Sequence, residues 1–261
     1  MTIVKHELRQ GKLSLCIWTL SIGLFIALCV FMYPEMKGEM EGVSDLFASM
    51  GTFSTAFGMD QLNFGTLIGF YGVECGNILG IGGALYASLI GISALAKEEK
   101  EKTAEFLLTH PVSRTKVLTE KLIALFVQIL LLNIIVYLFS VGSIIIIGEK
   151  IPWTELNLIH LANTLMQLEL MCICFGSSAF IRKGGLGAGL GLAIVMYFLN
   201  ILANISDSAE FLKYITPFGY TECADIIEKL TLDKTMVCLG AVYAGVSIGV
   251  AYWKYNRKDI S

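Results

Sequence analysis

Two carboxylates, Glu74 and Glu169, each stand inside a long apolar run, and they are the residues of this sequence best placed to do chemistry. A carboxylate withdrawn from water must be paired, hydrated or neutralised, so both are expected to face the protein interior. There they would line a path for a cationic or polar substrate, or hydrogen-bond neighbours such as Asn77, Asn163 or Gln167. A second kind of chemistry would be nucleophilic, since "FGSSAF", residues 175 to 180, supplies Ser177 and Ser178 and His160 lies in the same run. A base must come within hydrogen-bond reach of its nucleophile. Along a straight helix His160 lies about 25 Å before Ser177, so no catalytic residue is assigned. Cys172 and Cys174 form a C-x-C pair without nearby His or further Cys at zinc-ligand spacing, which favours packing over metal binding.

The elements that position these groups follow from composition. The chain has 261 residues, 55% hydrophobic and only 16% charged, with a mean hydropathy of +0.70, whereas a soluble chain carries about a quarter charged residues. This is the composition of an integral membrane protein. The net charge of -3 gives no reason to propose nucleic acid as a partner. The 7 cysteines are odd in number and fall mostly in apolar runs, so no disulfide framework is expected.

A hydrocarbon core about 30 Å thick needs a helix of ~20 apolar residues. Six segments qualify: 13 to 33, 67 to 96, 118 to 147, 158 to 181, 186 to 205 and 235 to 253. The first is too long for a signal-peptide core and lacks an A-x-A-like cleavage site, so it is a retained span. The fold expected is an all-α, six-span domain covering 1 to 261. Gln128 and Asn133 read as groups that hydrogen-bond between helices.

Lys and Arg gather on the cytoplasmic side of a membrane protein. With the N-terminus inside, fourteen of the 19 basic residues fall on that side, at 5 to 12, 97 to 121, 182 to 183 and 254 to 258. Only Lys37, Lys150, Lys213, Lys229 and Lys234 fall outside, so both termini are expected in the cytoplasm. The last outer connection, 204 to 234, contains "EFLKYITPFGYTECADIIEKL", which predicts either short helices dipping into the outer leaflet or a plain interfacial loop. Gly72, Gly76, Gly80, Ala84 and Ser88 repeat at every fourth position, a face where helices approach closely, within the chain or between two copies. Gly185, Gly187, Gly189 and Gly191 offer two further such pairs.

Charges interrupt the apolar pattern at "EEKEKTAEFLLTHPVSR", residues 98 to 114. As a helix, 98 to 109 would gather Ala104, Phe106, Leu107 and Leu108 on one face and Glu98, Glu101, Lys102 and Glu105 on the other. Pro111 ends that helix, and Ser113 can cap the next. Such an amphipathic element would lie on the membrane surface or enter a groove on a cytoplasmic protein.

The run from 92 to 124 resembles the signature region of type-2 ATP-binding-cassette (ABC) exporter permeases, an acidic residue followed by G-T-x-E-x-L-L and P-V-S-R. Thr103, Glu105, Leu107, Leu108, Pro111, Val112, Ser113 and Arg114 match, whereas Lys102 stands where glycine is common. The resemblance implies a coupling helix at about 98 to 110 that docks on a separate cytoplasmic ABC ATPase through Glu98, Glu99, Thr103, Glu105, Phe106, Leu107, Leu108, Pro111 and Arg114. It also implies an amphipathic helix at about 1 to 12, an outer gate at about 204 to 234, two ATPase copies, and a second permease chain, identical or paralogous. A bacterial cell membrane is the expected location.

No G-x-x-x-x-G-K-[ST] phosphate loop occurs, and "GIGGALYAS", 80 to 88, has glycines but no lysine. This chain is therefore expected to bind no cofactor, with ATP and Mg held by the partner. Two other readings remain: a non-transporting sensor or immunity subunit on the same ATPase, and an intramembrane hydrolase. For the latter, "EEKEKT" resembles the start of the E-E-x-x-x-R motif of CAAX-type proteases, but Thr103 occupies the arginine position.

Overall fold

The computed structural model describes residues 2–59, 61–100, 113–181 and 185–257, with side chains for all of these except 2, 39–49, 96–100 and 207. Among the described residues every regular element is helical. In chain order they are α1 (Thr2–Ser49), α2 (Thr52–Ala56), α3 (Leu67–Lys100), α4 (Arg114–Ile146), α5 (Trp153–Ser178), α6 (Leu186–Ile205), a 3-10 helix (Asp207–Tyr214), α7 (Cys223–Lys229) and α8 (Lys234–Asn256). Six of these, α1, α3, α4, α5, α6 and α8, are long and apolar enough to cross a bilayer. In lipid every backbone N–H and C=O must be satisfied within its own segment, and helices do this.

Local chemistry sets several boundaries. Ser113 takes an extended conformation and its hydroxyl accepts from the Lys116 N–H at 3.3 Å, the cap expected from the sequence. Asp233 opens α8 by accepting from the N–H groups of Thr235 and Met236 at 2.8 and 3.1 Å. Beyond α4, Gly148 turns the chain with a φ of 75°, which a side chain would resist.

The first helix departs from expectation. The span predicted at 13 to 33 and the described part of the segment predicted at 1 to 12 form one helix, which runs from Thr2 through Pro34 to Ser49. The N-terminal segment is thus the first turns of α1, not a separate element. At 48 residues the helix is about 72 Å long and extends well past a hydrocarbon core. Proline in a helix interior removes one backbone bond and crowds the preceding turn, but side chains on both sides of Pro34 are anchored. Tyr33 donates its hydroxyl to the Gly65 carbonyl at 2.9 Å and packs on Phe70, while Lys37 pairs with Glu149 at 2.7 Å.

Alternating spans define two ends. The starts of α1, α4 and α6 share one end with the finishes of α3, α5 and α8, hereafter the termini end. The far end carries α2, the 3-10 helix and α7, so the connection before the last span is a pair of short helices. At the centre α3 packs on α5 over much of its length. Close approach is possible because α3 presents glycine there, and a Cβ at Gly91 would lie 2.5 Å from the Met171 carbonyl. The glycines of α6 divide. A Cβ at Gly189 would meet Ile92 of α3 at 2.7 Å, whereas Gly187 and Gly191 have nothing within 4 Å.

Candidate functional site

The start of α4 is a joint at the termini end. Arg114 donates Nη1 to the carbonyls of Tyr255 and Asn256, at 3.3 and 3.4 Å, and so binds the last turn of α8. Thr119 and Tyr252 share a second bond between the same helices at 2.6 Å. The next residue, Glu120, accepts at its carboxylate from the N–H groups of Ile3 and Val4, which have no intrahelical partner at the start of α1. The buried Lys121 donates to Glu7 of α1 at 2.7 Å and to the Ala94 carbonyl of α3 at 2.9 Å. The helix that follows the signature segment thus grips α1, α3 and α8. Glu120 and Lys121, which make these ties, are not among the site residues expected from the sequence, where Glu74 and Glu169 stand out as the intramembrane charges. Their signal was an adjacent pair of ionisable residues inside a predicted span.

Of the docking set, Arg114 alone has a described side chain. Thr103, Glu105, Phe106, Leu107, Leu108 and Pro111 lie outside the described residues, as do the side chains of Glu98 and Glu99. The backbone of α3 carries helix as far as Lys100.

Glu169 faces the interior, but its partner is not one of those anticipated. Its Oε2 accepts the Tyr220 hydroxyl at 2.8 Å, from the connection before α8, while Asn133 and Gln167 bind each other between α4 and α5 at 2.7 Å. Burial and the neighbouring Glu169 both raise the Tyr220 pKa, so the phenol stays protonated and is the donor. On α8, Gly240 leaves room for the carboxylate, which a Cβ there would strike. Beside it opens a cavity of about 330 Å³ between α4, α5 and α8, walled by apolar groups including Phe126, Leu165, Val237 and Ala244. This is an apolar cleft with one acid and one phenol at its base.

Glu74 does not face the interior of this chain. It is exposed, with no hydrogen bond or ion pair among the described residues. The reason is angular: Gly72 and Gly76 face the bundle, where a Cβ would meet Cys223 at 3.0 and 2.6 Å, and a residue midway between them points about 160–200° away. Gly80 continues that inward face toward Asn163.

The hydrolase constellation does not assemble. His160 shares a hydrogen bond with the Tyr71 hydroxyl at 2.8 Å, and Tyr71 meets Ser140 at 2.7 Å. Ser177 and Ser178 donate to carbonyls of their own helix. Among the described residues no three His, Cys, Asp or Glu side chains are grouped to hold a metal, and every cysteine is a free thiol.

At the far end Glu222, within the outer segment 204 to 234, is a further part-buried acid. Asn200 and Asn204 of α6 both donate to its Oε1, the second at 2.7 Å. Burial raises its pKa, outweighing the opposing effects of the two amides and of Lys213. Beside it the Cys223 thiol is pushed up to about 12 by burial and by the Glu222 charge.

The sequence model of a family described as "ABC-2 family transporter protein" matches residues 1–260. No curated protein matches the chain.

Proposed function

The chain belongs to the ABC-2 transporter family, as a multi-pass membrane permease, and we propose that it is the membrane half of an exporter driven by a separate cytoplasmic ATPase. In this reading two ATPase copies hold ATP and Mg, and this chain pairs with a second permease, identical or paralogous. Both termini face the cytoplasm of a bacterial cell, and transport runs outward.

The observation that carries the mechanism is the joint at the start of α4. Residues 98 to 110 would dock on the ATPase, and a displacement there arrives at both flanks of the segment. One flank is the end of α3, whose Ala94 carbonyl is tied to Lys121. The other is Arg114, tied to α8. A coupling element needs two arrangements biased by nucleotide. Moving this joint would shift α1, α3, α4 and α8 together.

The cleft beside Glu169 suits a cargo with an apolar body and a hydrogen-bond-donating or cationic head. Glu74, exposed on α3, would line the path only along a seam with the second permease chain.

The test is to purify the chain with its ATPase and to compare association and ATP hydrolysis for wild type, Phe106→Asp and Leu107→Asp. Loss of association by tenfold or more is expected in both. Unchanged association and hydrolysis would remove the docking role. Glu169→Gln should alter cargo-stimulated hydrolysis while association with the ATPase stays intact.

A further inference from the structure

Glu222 stands between two hollows at the far end of the bundle. The inner one, about 40 Å³, is lined by Gly72, Gly76, Asn77, Asn200 and Cys223 as well as by Glu222. The outer one, about 120 Å³, is shared with Gln61, Asn204, Lys213 and Asp225. Gly58 lines both, and a Cβ there would lie 3.5 Å from Glu222 Oε2.

Around the inner hollow Asn77, Asn200, Thr221 and Cys223 each already donate one hydrogen bond, while two acceptor oxygens have no partner among the described residues. Both amide donors to Glu222 fall on Oε1, so Oε2 has no hydrogen-bond partner among the described residues. Asn77 donates to the Val73 carbonyl at 2.7 Å, Thr221 to Phe218 at 2.8 Å and the Cys223 thiol to Thr221 at 3.8 Å. The Oδ1 of Asn200, a residue only 5% exposed, is without a partner among the described residues. The Tyr197 hydroxyl, able to donate or accept, completes the polar lining. A buried acceptor left unmatched, as Asn200 Oδ1 is, is costly, and beside the unpartnered, part-buried Glu222 carboxylate oxygen it favours a ligand that brings donors.

We propose that this hollow binds a primary ammonium group, held by Glu222 Oε2 and Asn200 Oδ1. Such a group carries three N–H donors and one positive charge, matching one carboxylate oxygen and one amide oxygen that lack partners. A hard metal cation collects about six or more oxygens, and among the described residues no acidic cluster supplies them. A quaternary ammonium brings no N–H. In the outer hollow, Asp225 attracts a cation and is itself paired with Lys229, while Lys213 opposes one. Only the ionised carboxylate attracts the ammonium, so affinity rises with pH through the raised Glu222 pKa. The site does not depend on the chain being driven by an ATPase, and its test needs no ATPase.

The experiment places the purified chain in phosphatidylcholine nanodiscs and follows its unfolding temperature against ethanolamine, choline and NaCl at constant ionic strength. Ethanolamine is expected to raise the unfolding temperature saturably, choline and Na+ to have no effect, and Glu222→Gln to weaken the ethanolamine response tenfold or more. An equal response to choline or Na+, no response to any of the three, or an ethanolamine response that survives Glu222→Gln would overturn the site. The selectivity series uses wild-type protein, so it decides the matter even if the variant misfolds. Repeating it with phosphatidylethanolamine in the disc separates two sources of the same chemistry. A higher starting temperature with no further gain from ethanolamine assigns the site to a lipid headgroup, and an unchanged ethanolamine response assigns it to a soluble amine; both uphold it.

Discussion

Tyr220 and Glu169 are 51 positions apart and meet at 2.8 Å, joining the connection before the last span to the middle of α5. The bond ties far-end structure to the acid at the base of the apolar cleft. Any movement of α7 and the turn that leads into it relative to α5 must stretch the bond or carry Glu169 along.

Tyr220→Phe removes the hydroxyl and leaves a buried carboxyl without that donor. A loss of about 1–3 kcal/mol is expected from such a deletion, measured as thermal or denaturant unfolding in detergent. An unfolding curve identical to wild type would mean that Glu169 finds another partner.

Lys121→Met should loosen the joint at the start of α4. The lysine is buried while Glu7 is part-exposed, so the cost is expected at about 1–3 kcal/mol, below that of a fully buried pair. If the joint carries the stroke, ATP-driven transport falls while association with the ATPase is kept. Wild-type transport in a folded Lys121→Met protein would place the stroke elsewhere.

Gly240→Ala and Gly249→Ala make a controlled pair on α8. The first drives a methyl into Glu169, whereas the second enters open space, with nothing within 4 Å. Overpacking predicts a loss of about 1–3 kcal/mol for the first. Higher helix propensity predicts no loss for the second, or a gain of up to about 1 kcal/mol. Equal unfolding temperatures for the two variants would contradict the close contact between α5 and α8.

Glu222 should give stability a pH dependence. Its folded pKa lies above the ordinary 4.5, so the folded state holds the proton more tightly than the unfolded chain does. The favourable difference is fully present below about 4.5 and is lost as pH rises through the raised folded value. In amine-free buffer, stability attributable to this group should therefore fall with rising pH across that window, and Glu222→Gln should flatten the slope. A slope unaffected by the substitution would assign it to other groups.

Much of the fold was legible because lipid imposes a simple rule: a run of about twenty apolar residues must close its own hydrogen bonds as a helix. The predicted span at 186 to 205 coincides with α6, and the last span differs from α8 by one residue at its start and three at its end. Ser113 was readable as a cap because capping is local. Pro34, whose local preference is to break a helix, lies inside α1, where contacts of Tyr33 and Lys37 with distant residues hold the chain on either side of it.

The sequence by itself determined the membrane class, the number of spans, the all-helical architecture and the presence of acids within apolar runs. These depend on composition and on neighbours along the chain. Only the tertiary structure decided that Glu169 turns inward to Tyr220, that Glu74 turns out, and that Glu120, Lys121 and Glu222 join elements far apart in sequence. A helix fixes the angle between its own side chains but not which face meets a neighbour, and that choice belongs to the packing of α3 against α5 and α7.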